Sequence, residues 1–278
     1  GFSPAEYPVV TYTATKKTFH LEQLHTFAAL SGDYNPMHID PMSARRTMYG
    51  HCVVHGIFLI LAALDEAFDQ PVKLIELKTV FAGAVLVDDV VSFEHIDIAH
   101  QHRKIRLCVG ATCVATITIK YQPANNVDHV NVADIRPQAG EPQKLTTEQI
   151  EKAAGSDALM FEHSDLLTLF PQLLNKVPDW LVGILLSSTR VVGMECPGLN
   201  SIYAEINLKF PEREQVLDTL HWQVKKIDPR WGLVTIKLDA PALTGNIKVF
   251  IRPEPVTQPG VDEIVGKVSD GQFSDRRA

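Results

Sequence analysis

The segment VVHGIFLILAALDEAF, residues 53–68, is apolar on nearly every side from Ile57 to Leu64. A helix tolerates that only when other structure wraps it, so the segment predicts a buried central helix. From Lys73 to Gln122 the pattern changes to LIELKTVFAG, DDVVSFEHIDI, RKIRLCVGA and CVATITIKY, which are rich in β-branched residues and partly alternating. One buried helix beside a run of neighbouring strands predicts an α+β unit in which an antiparallel sheet curls around the helix. Upstream, LEQLHTFAALSG (residues 21–32) reads as an amphipathic helix with Leu21, Leu24, Phe27, Ala28 and Leu30 inward, stopped by Gly32.

The same order then recurs. A polar connector, PANNVDHVNVADIRPQAGEPQK, and a short capped helix, TTEQIEKAAG, lead to apolar helical segments broken by Pro171 and Pro178. Strand-like IYAEINLKF, LHWQVKKID, GLVTIKLDA and NIKVFIRP follow. The layout divides the chain into an N-terminal unit at 1–124, a linker with a short helix at 125–163, a second unit at 164–258 and a flexible tail at 259–278.

Composition narrows the function class. The 278 residues are 45% hydrophobic with a net charge of -7, enough apolar surface for real cores and the wrong sign for a generic nucleic-acid binder. The four cysteines, Cys52, Cys108, Cys113 and Cys196, form no CxxC pair and no regular framework, so free thiols in a reducing compartment are expected. No apolar run reaches the roughly 18 residues of a membrane span. The N-terminal stretch lacks the features of a secretory signal, so a cytoplasmic protein is expected.

Between the first two helices stands SGDYNPMHIDP, residues 31–41. On a regular helix Asp33 and His38 would face apart, but Pro36 interrupts helical hydrogen bonding and pushes Asn35 toward extended geometry, so a folded loop can aim both inward. A carboxylate and an imidazole converging on one spot can hold a water and move its proton. Gly56, with His55 before it, opens the buried helix, where unpaired N–H groups and the helix dipole favour a developing oxyanion. His51 and His55 could ligate a metal at i, i+4, but neither a third ligand nor an HExxH pattern accompanies them, and no metal is expected. Asp40 reads as a cap, Cys52 as a packed thiol. Arg45 and Arg46 are either solvated or a contact for a phosphate or an acidic carrier surface.

SGDYNPMH, the following IDP, Ala44 and GHCVVHG leading into the apolar helix resemble the MaoC-like, or (R)-specific enoyl hydratase, family of hotdog proteins. The resemblance covers residues from about Ser31 to Ile57. It implies two hotdog folds in one chain, the second degenerate because it lacks a D-x-N-P-x-H sequence. It also implies that Asp33 and His38 activate a water, that Asn35 and Pro36 shape the loop and help hold that water, and that the Gly56 amide binds a thioester carbonyl. The implied reaction is hydration of a trans-2-enoyl thioester of coenzyme A or acyl carrier protein to the (R)-3-hydroxyacyl product, or its reverse, without a cofactor. Cys52, Ile57 and Asp88-Asp89 depart from the family pattern, and they bear on the acyl tunnel rather than on the catalytic groups. Two other readings compete: a hotdog thioesterase using Asp65 or Glu66, and a non-catalytic acyl-binding scaffold. Hotdogs commonly pair, so the chain either forms a homodimer or completes the pairing internally.

Overall fold

The computed structural model describes residues 12–211, 218–241 and 243–253; the tail expected at 259–278 lies outside them. The first half runs β1 (Tyr12–Thr18), α1 (Leu21–Ser31), α2 (Pro36–Ile39), α3 (Pro41–Ala44), α4 (Gly56–Ala67), β2 (Val72–Phe81), β3 (Val90–Ala99), β4 (His102–Val109) and β5 (Thr112–Pro123). After the connector come α5 (Thr147–Glu151), β6 (Ala154–Ala158), α6 (His163–Leu169), α7 (Asp179–Arg190), β7 (Ser201–Lys209), β8 (Thr219–Asp228), β9 (Leu233–Ala240) and β10 (Leu243–Ile251).

All ten strands form one antiparallel sheet in the order β1-β3-β4-β5-β2-β7-β10-β9-β8-β6. Read from either end toward the middle, the order is the same: a strand preceding the helices, then the second, third and fourth strands of the following meander, then the first. The two halves meet where β2 pairs with β7, Leu77 opposite Leu208 and Thr79 opposite Ile206. β1 and β6, the two outer edges, are the strands that hydrophobic pattern does not reveal. Both are short and largely polar, and they exist because β3 and β8 offer unpaired backbone groups. β6 lies inside the stretch read as a linker, so that stretch contributes an edge to the second half of the sheet.

The inner sheet face follows the two-residue period of strands. In β9, for example, Val234, Ile236, Leu238 and Ala240 are buried. Against that face lie α4, buried continuously from Ile57 to Leu64, and α7, buried from Leu181 to Arg190. Asp179, the first residue of α7, accepts hydrogen bonds from the Val130 and Val132 amides of the connector, both at 2.8 Å, which ties the crossing chain to the core.

One expectation is corrected. Cys108 and Cys113 are joined by a disulfide rather than standing as free thiols, while Cys52 and Cys196 are free and buried. Five residues is the spacing that closes the β4–β5 hairpin, whose register sets these two cysteines directly opposite each other. Among the described residues no helix is long and apolar enough to cross a membrane.

Leu61 is fully buried on α4, so Leu61→Ala should lower unfolding stability by about 2–5 kcal/mol, measurable as a reduced urea midpoint with an unchanged slope.

Candidate active site

Gly32 ends α1 in the left-handed conformation, φ 77°, and its N–H returns to Ala28 O at 2.8 Å. The chain then reverses sharply. Pro36 acts as the first residue of α2 rather than as a simple breaker, a position where its missing N–H removes nothing. Asn35 caps that turn, its Oδ1 accepting from the Met37 amide at 3.3 Å. Asp40 caps α3 in the same way, accepting from Met42 N at 3.0 Å and Ser43 Oγ at 2.5 Å. These two single-turn helices bend the segment so that Asp33 and His38 face one space.

Asp33 is 1% exposed. Burial pushes its carboxyl group's pKa up; the His38 charge, the Thr189 hydroxyl, the Asn35 amide and the Arg190 charge pull it back down. Thr189 Oγ1 donates to Oδ2 at 2.7 Å and Asn35 N donates to Oδ1 at 3.2 Å. His38 donates its Nδ1–H to Val53 O at 2.6 Å, because a carbonyl can only accept. The neutral imidazole therefore carries its bare lone pair on Nε2. Burial is the main cause that lowers its pKa, with Arg252 adding to the effect, while Asp33 and the Val53 carbonyl raise it.

His55 also holds the loop together. Its Nε2–H donates to the main-chain oxygen of Asp33 at 3.1 Å, which pins the motif loop to the start of α4. The ring is wedged between His38, stacked at 3.8 Å between centroids, and Phe27 at 4.8 Å. Burial first, and then the His38 charge, hold its pKa well below the ordinary histidine value, so it stays neutral. Gly56 lines the cavity as the first residue of α4, and its N–H has no acceptor within the helix. A side chain there would meet the Phe81 ring at 2.8 Å, so a larger residue would have to push that ring aside.

Asp33, His38, Gly56, Tyr49, Thr189 and Gly193 line a cavity of about 60 Å³, room for a few waters at the about 10–15 Å³ that one needs. Asp33, His38 and His55 each bring one nitrogen or carboxylate oxygen within 4.8 Å of one another. Two hydrogen bonds of about 2.8 Å through a single water span about 4.5 Å, so one water can join the carboxylate to the imidazole. Among the described residues, these three side chains are also the cluster that could hold a metal. The two imidazoles are stacked only 24° from parallel, however, so their lone pairs do not converge as ligands to one ion must. Arg45 and Arg46 are exposed and outside the cavity.

The second half supplies groups that the motif did not indicate. α7 continues into a wide helical turn, Val191–Glu195, and the loop after it receives the motif. Asn35 Nδ2 lies within hydrogen-bond distance of the carbonyls of Gly193, Leu199 and Gly198, at 3.2, 3.3 and 3.4 Å. Gly193 packs so closely on Asp33 that a methyl group there would collide with the carboxylate. Arg190 bridges Ser31 O at 3.1 Å and Asp157 at 2.7 Å, fastening the end of α1 to the second half. The available signal was the run Ser187-Ser188-Thr189-Arg190 at the end of an otherwise apolar helix, all four buried. Buried polar groups need partners, and here the partners include the motif.

Comparison with known proteins adds a family and a fold. The family model described as MaoC like domain matches residues 6–116. The (R)-specific enoyl-CoA hydratase of Aeromonas caviae is 44% identical over 43 residues, a stretch covering 16% of this chain and 32% of that enzyme. The chain thus matches about a third of the length of this curated relative. Among solved structures, a putative MaoC domain protein dehydratase from Chloroflexus aurantiacus superposes with a TM-score of 0.57 at 11% identity, over 88% of this chain and 95% of the other. A second, described as a MaoC-like dehydratase, gives 0.56 at 11% identity over 86% and 97%. At those identities the likeness is one of fold: a hotdog-type arrangement with a large antiparallel sheet. The segment that holds Asp33, His38 and Gly56 lies within the residues that match the MaoC like domain model.

Proposed function

We propose that the protein adds water to, or removes it from, a 2-enoyl or 3-hydroxyacyl thioester, with (R) stereochemistry, on coenzyme A or a carrier protein. The supporting observation is the buried Asp33 carboxylate and the half-buried His38 imidazole, which approach within 4.8 Å and line one cavity with the first residue of α4. In hydration, His38 Nε2 takes a proton from the water while its oxygen bonds to C3 of the enoyl group. The electron pair moves through C2 to the thioester oxygen, which the Gly56 N–H and the dipole of α4 stabilise. The imidazolium then returns the proton to C2, and Asp33 supports that cation throughout. Dehydration reverses each step with the same groups.

On this reading the chain is a double hotdog, its halves being the 1–124 unit and the 164–258 unit extended by β6, and the β2–β7 junction completes the pairing internally. The second half lacks the motif but holds Asp33 through Thr189 and Gly193. Arg45 and Arg46 are then available to a coenzyme phosphate or an acidic carrier at the surface. The thioesterase alternative loses support from its own carboxylates. Asp65 accepts the Gln172 amide at 2.8 Å, and Glu66 is engaged by Lys17 at 2.9 Å and His95 at 3.0 Å; neither lines the cavity.

Purified protein should consume the conjugated-thioester absorbance of crotonyl-CoA or a longer enoyl thioester, and chiral analysis should show the (R) alcohol; release of free thiol instead would favour hydrolysis. Asp33→Asn and His38→Ala should each reduce kcat by about 10²–10⁴-fold with far-UV circular dichroism unchanged, and parent-like turnover in both would leave only a binding or scaffold role. Thr189→Val removes a donor that lowers the Asp33 pKa, so that pKa should rise. Because the ionised carboxylate is the working form, the acidic limb of the kcat/KM profile should move to higher pH, with about 1–3 kcal/mol of stability lost. Gly193→Ala should displace the carboxylate and lower kcat by about 10²-fold, measured alongside a thermal melt showing that the fold persists.

A further inference from the structure

Two aromatic rings in the cavity wall take no part in the chemistry proposed above. Phe81 is the last residue of β2 and is fixed there by its pairing with Ala115 of β5. Tyr203 belongs to β7, in the half without the motif. The ladder between β2 and β7 stops at Val80 opposite Glu205. Just beyond that last pair the two rings meet edge to face, 5.8 Å between centroids. They span the end of the seam between the halves, and both line the cavity that holds Asp33, His38 and Gly56.

The rings are held in different ways. Tyr203 donates its hydroxyl proton to Ser188 Oγ at 3.2 Å, and Ser188 donates its own to Leu185 O at 2.7 Å. The phenol is therefore tethered to α7 by a directed chain of two hydrogen bonds. Phe81 is held by packing alone. It is half-buried, and its ring stands so close to Gly56 that a Cβ on that residue would lie 2.8 Å from it. Other apolar residues of the lining, Val54, Leu59 and Val192, are buried in the core, and close-packed walls of that kind yield little. The space they enclose is about 60 Å³, room for about four to six water-sized groups. That matches a short acyl group and not a fatty acyl chain.

We propose that Phe81 and Tyr203 together set the upper limit on acyl length, closing the seam end of the cavity so that the substrate is a short-chain acyl thioester. This rests on the thioester reading above and names its substrate class. A carbonyl seated on the Gly56 amide has the Phe81 ring as its neighbour, so the acyl group it carries is confined by that ring and by the Tyr203 ring packed against it. Each methylene beyond the space available has to displace one of them. Such misfits in an apolar pocket are rejected by about tenfold or more. The half without the motif thus contributes one of the two rings that choose the substrate.

Calorimetric titration with butyryl-CoA and octanoyl-CoA tests the limit without requiring turnover. The parent protein should bind the butyryl ester about tenfold or more tightly than the octanoyl ester. Phe81→Ala and Tyr203→Ala should each erase that difference, while Tyr203→Phe, which keeps the ring and drops the hydroxyl, should retain it. A circular dichroism melt identifies any variant that fails to fold; Phe81→Leu then stands in for Phe81→Ala and should narrow the preference. Binding of octanoyl-CoA by the parent as tightly as butyryl-CoA overturns the inference. So does a result in which folded alanine variants weaken both esters alike, because the rings then serve only the packing. If the parent binds neither ester, this inference and the thioester reading fall together. If the butyryl preference holds and depends on the two rings while no enoyl thioester is turned over, the hydratase reading fails and the length limit stands.

Discussion

A carboxylate almost wholly removed from water is the constraint on which the rest of this structure depends. Left alone, Asp33 would take up a proton, because burial disfavours its charged form more than any neighbour restores it. Its ionised form needs donors at short range, and the motif loop supplies one, the Asn35 amide. The closer donor, Thr189 Oγ1, comes from a helix 156 residues farther along the chain. The site is therefore a property of two halves held at a fixed spacing, which explains why so much of the core serves to hold them there.

That spacing is over-determined. β2 and β7 join the halves through backbone hydrogen bonds, and α4 and α7 fill the space on the inner face of the sheet. At the site itself, Arg190 ties Ser31 to Asp157, Asn35 faces the carbonyls around Gly193, and Gly193 leaves room for the carboxylate and nothing more. His55 fastens the loop to α4 from the other side, and the stacked Phe27 and Phe58 rings, 4.7 Å apart, support it from below. A half without the motif can thus be indispensable to the motif. The end of α7 supplies polar residues that hold the first half's buried carboxylate.

The legible and illegible parts of the sequence differ in a physical way. The helix at 56–67, the eight long strands and the stop at Gly32 could be read because their signals are local: apolar runs, alternation, and a residue that tolerates positive φ. β1 and β6 could not, because an edge strand takes its conformation from the neighbour that pairs with it. Pro36 showed that the helix was interrupted, but not that a new single-turn helix would begin there with Asn35 as its cap. Cys108 and Cys113 became interpretable once the hairpin register set them opposite each other. His55 stood next to the right glycine, but its partner, the Asp33 carbonyl, is visible only when the loop is folded.

By itself the sequence determined the elements and the candidate site groups: a helix that must be buried, sheet strands to bury it, and an aspartate and histidine brought together by a loop only a few residues long. Short-range spacing is enough for that, since backbone geometry restricts what neighbours can do. The tertiary structure decided which groups favour the ionised form of Asp33 and why Gly193 has no side chain. Those outcomes depend on contacts between residues more than 150 positions apart, and no local pattern encodes a distance that arises only when two halves close on one another.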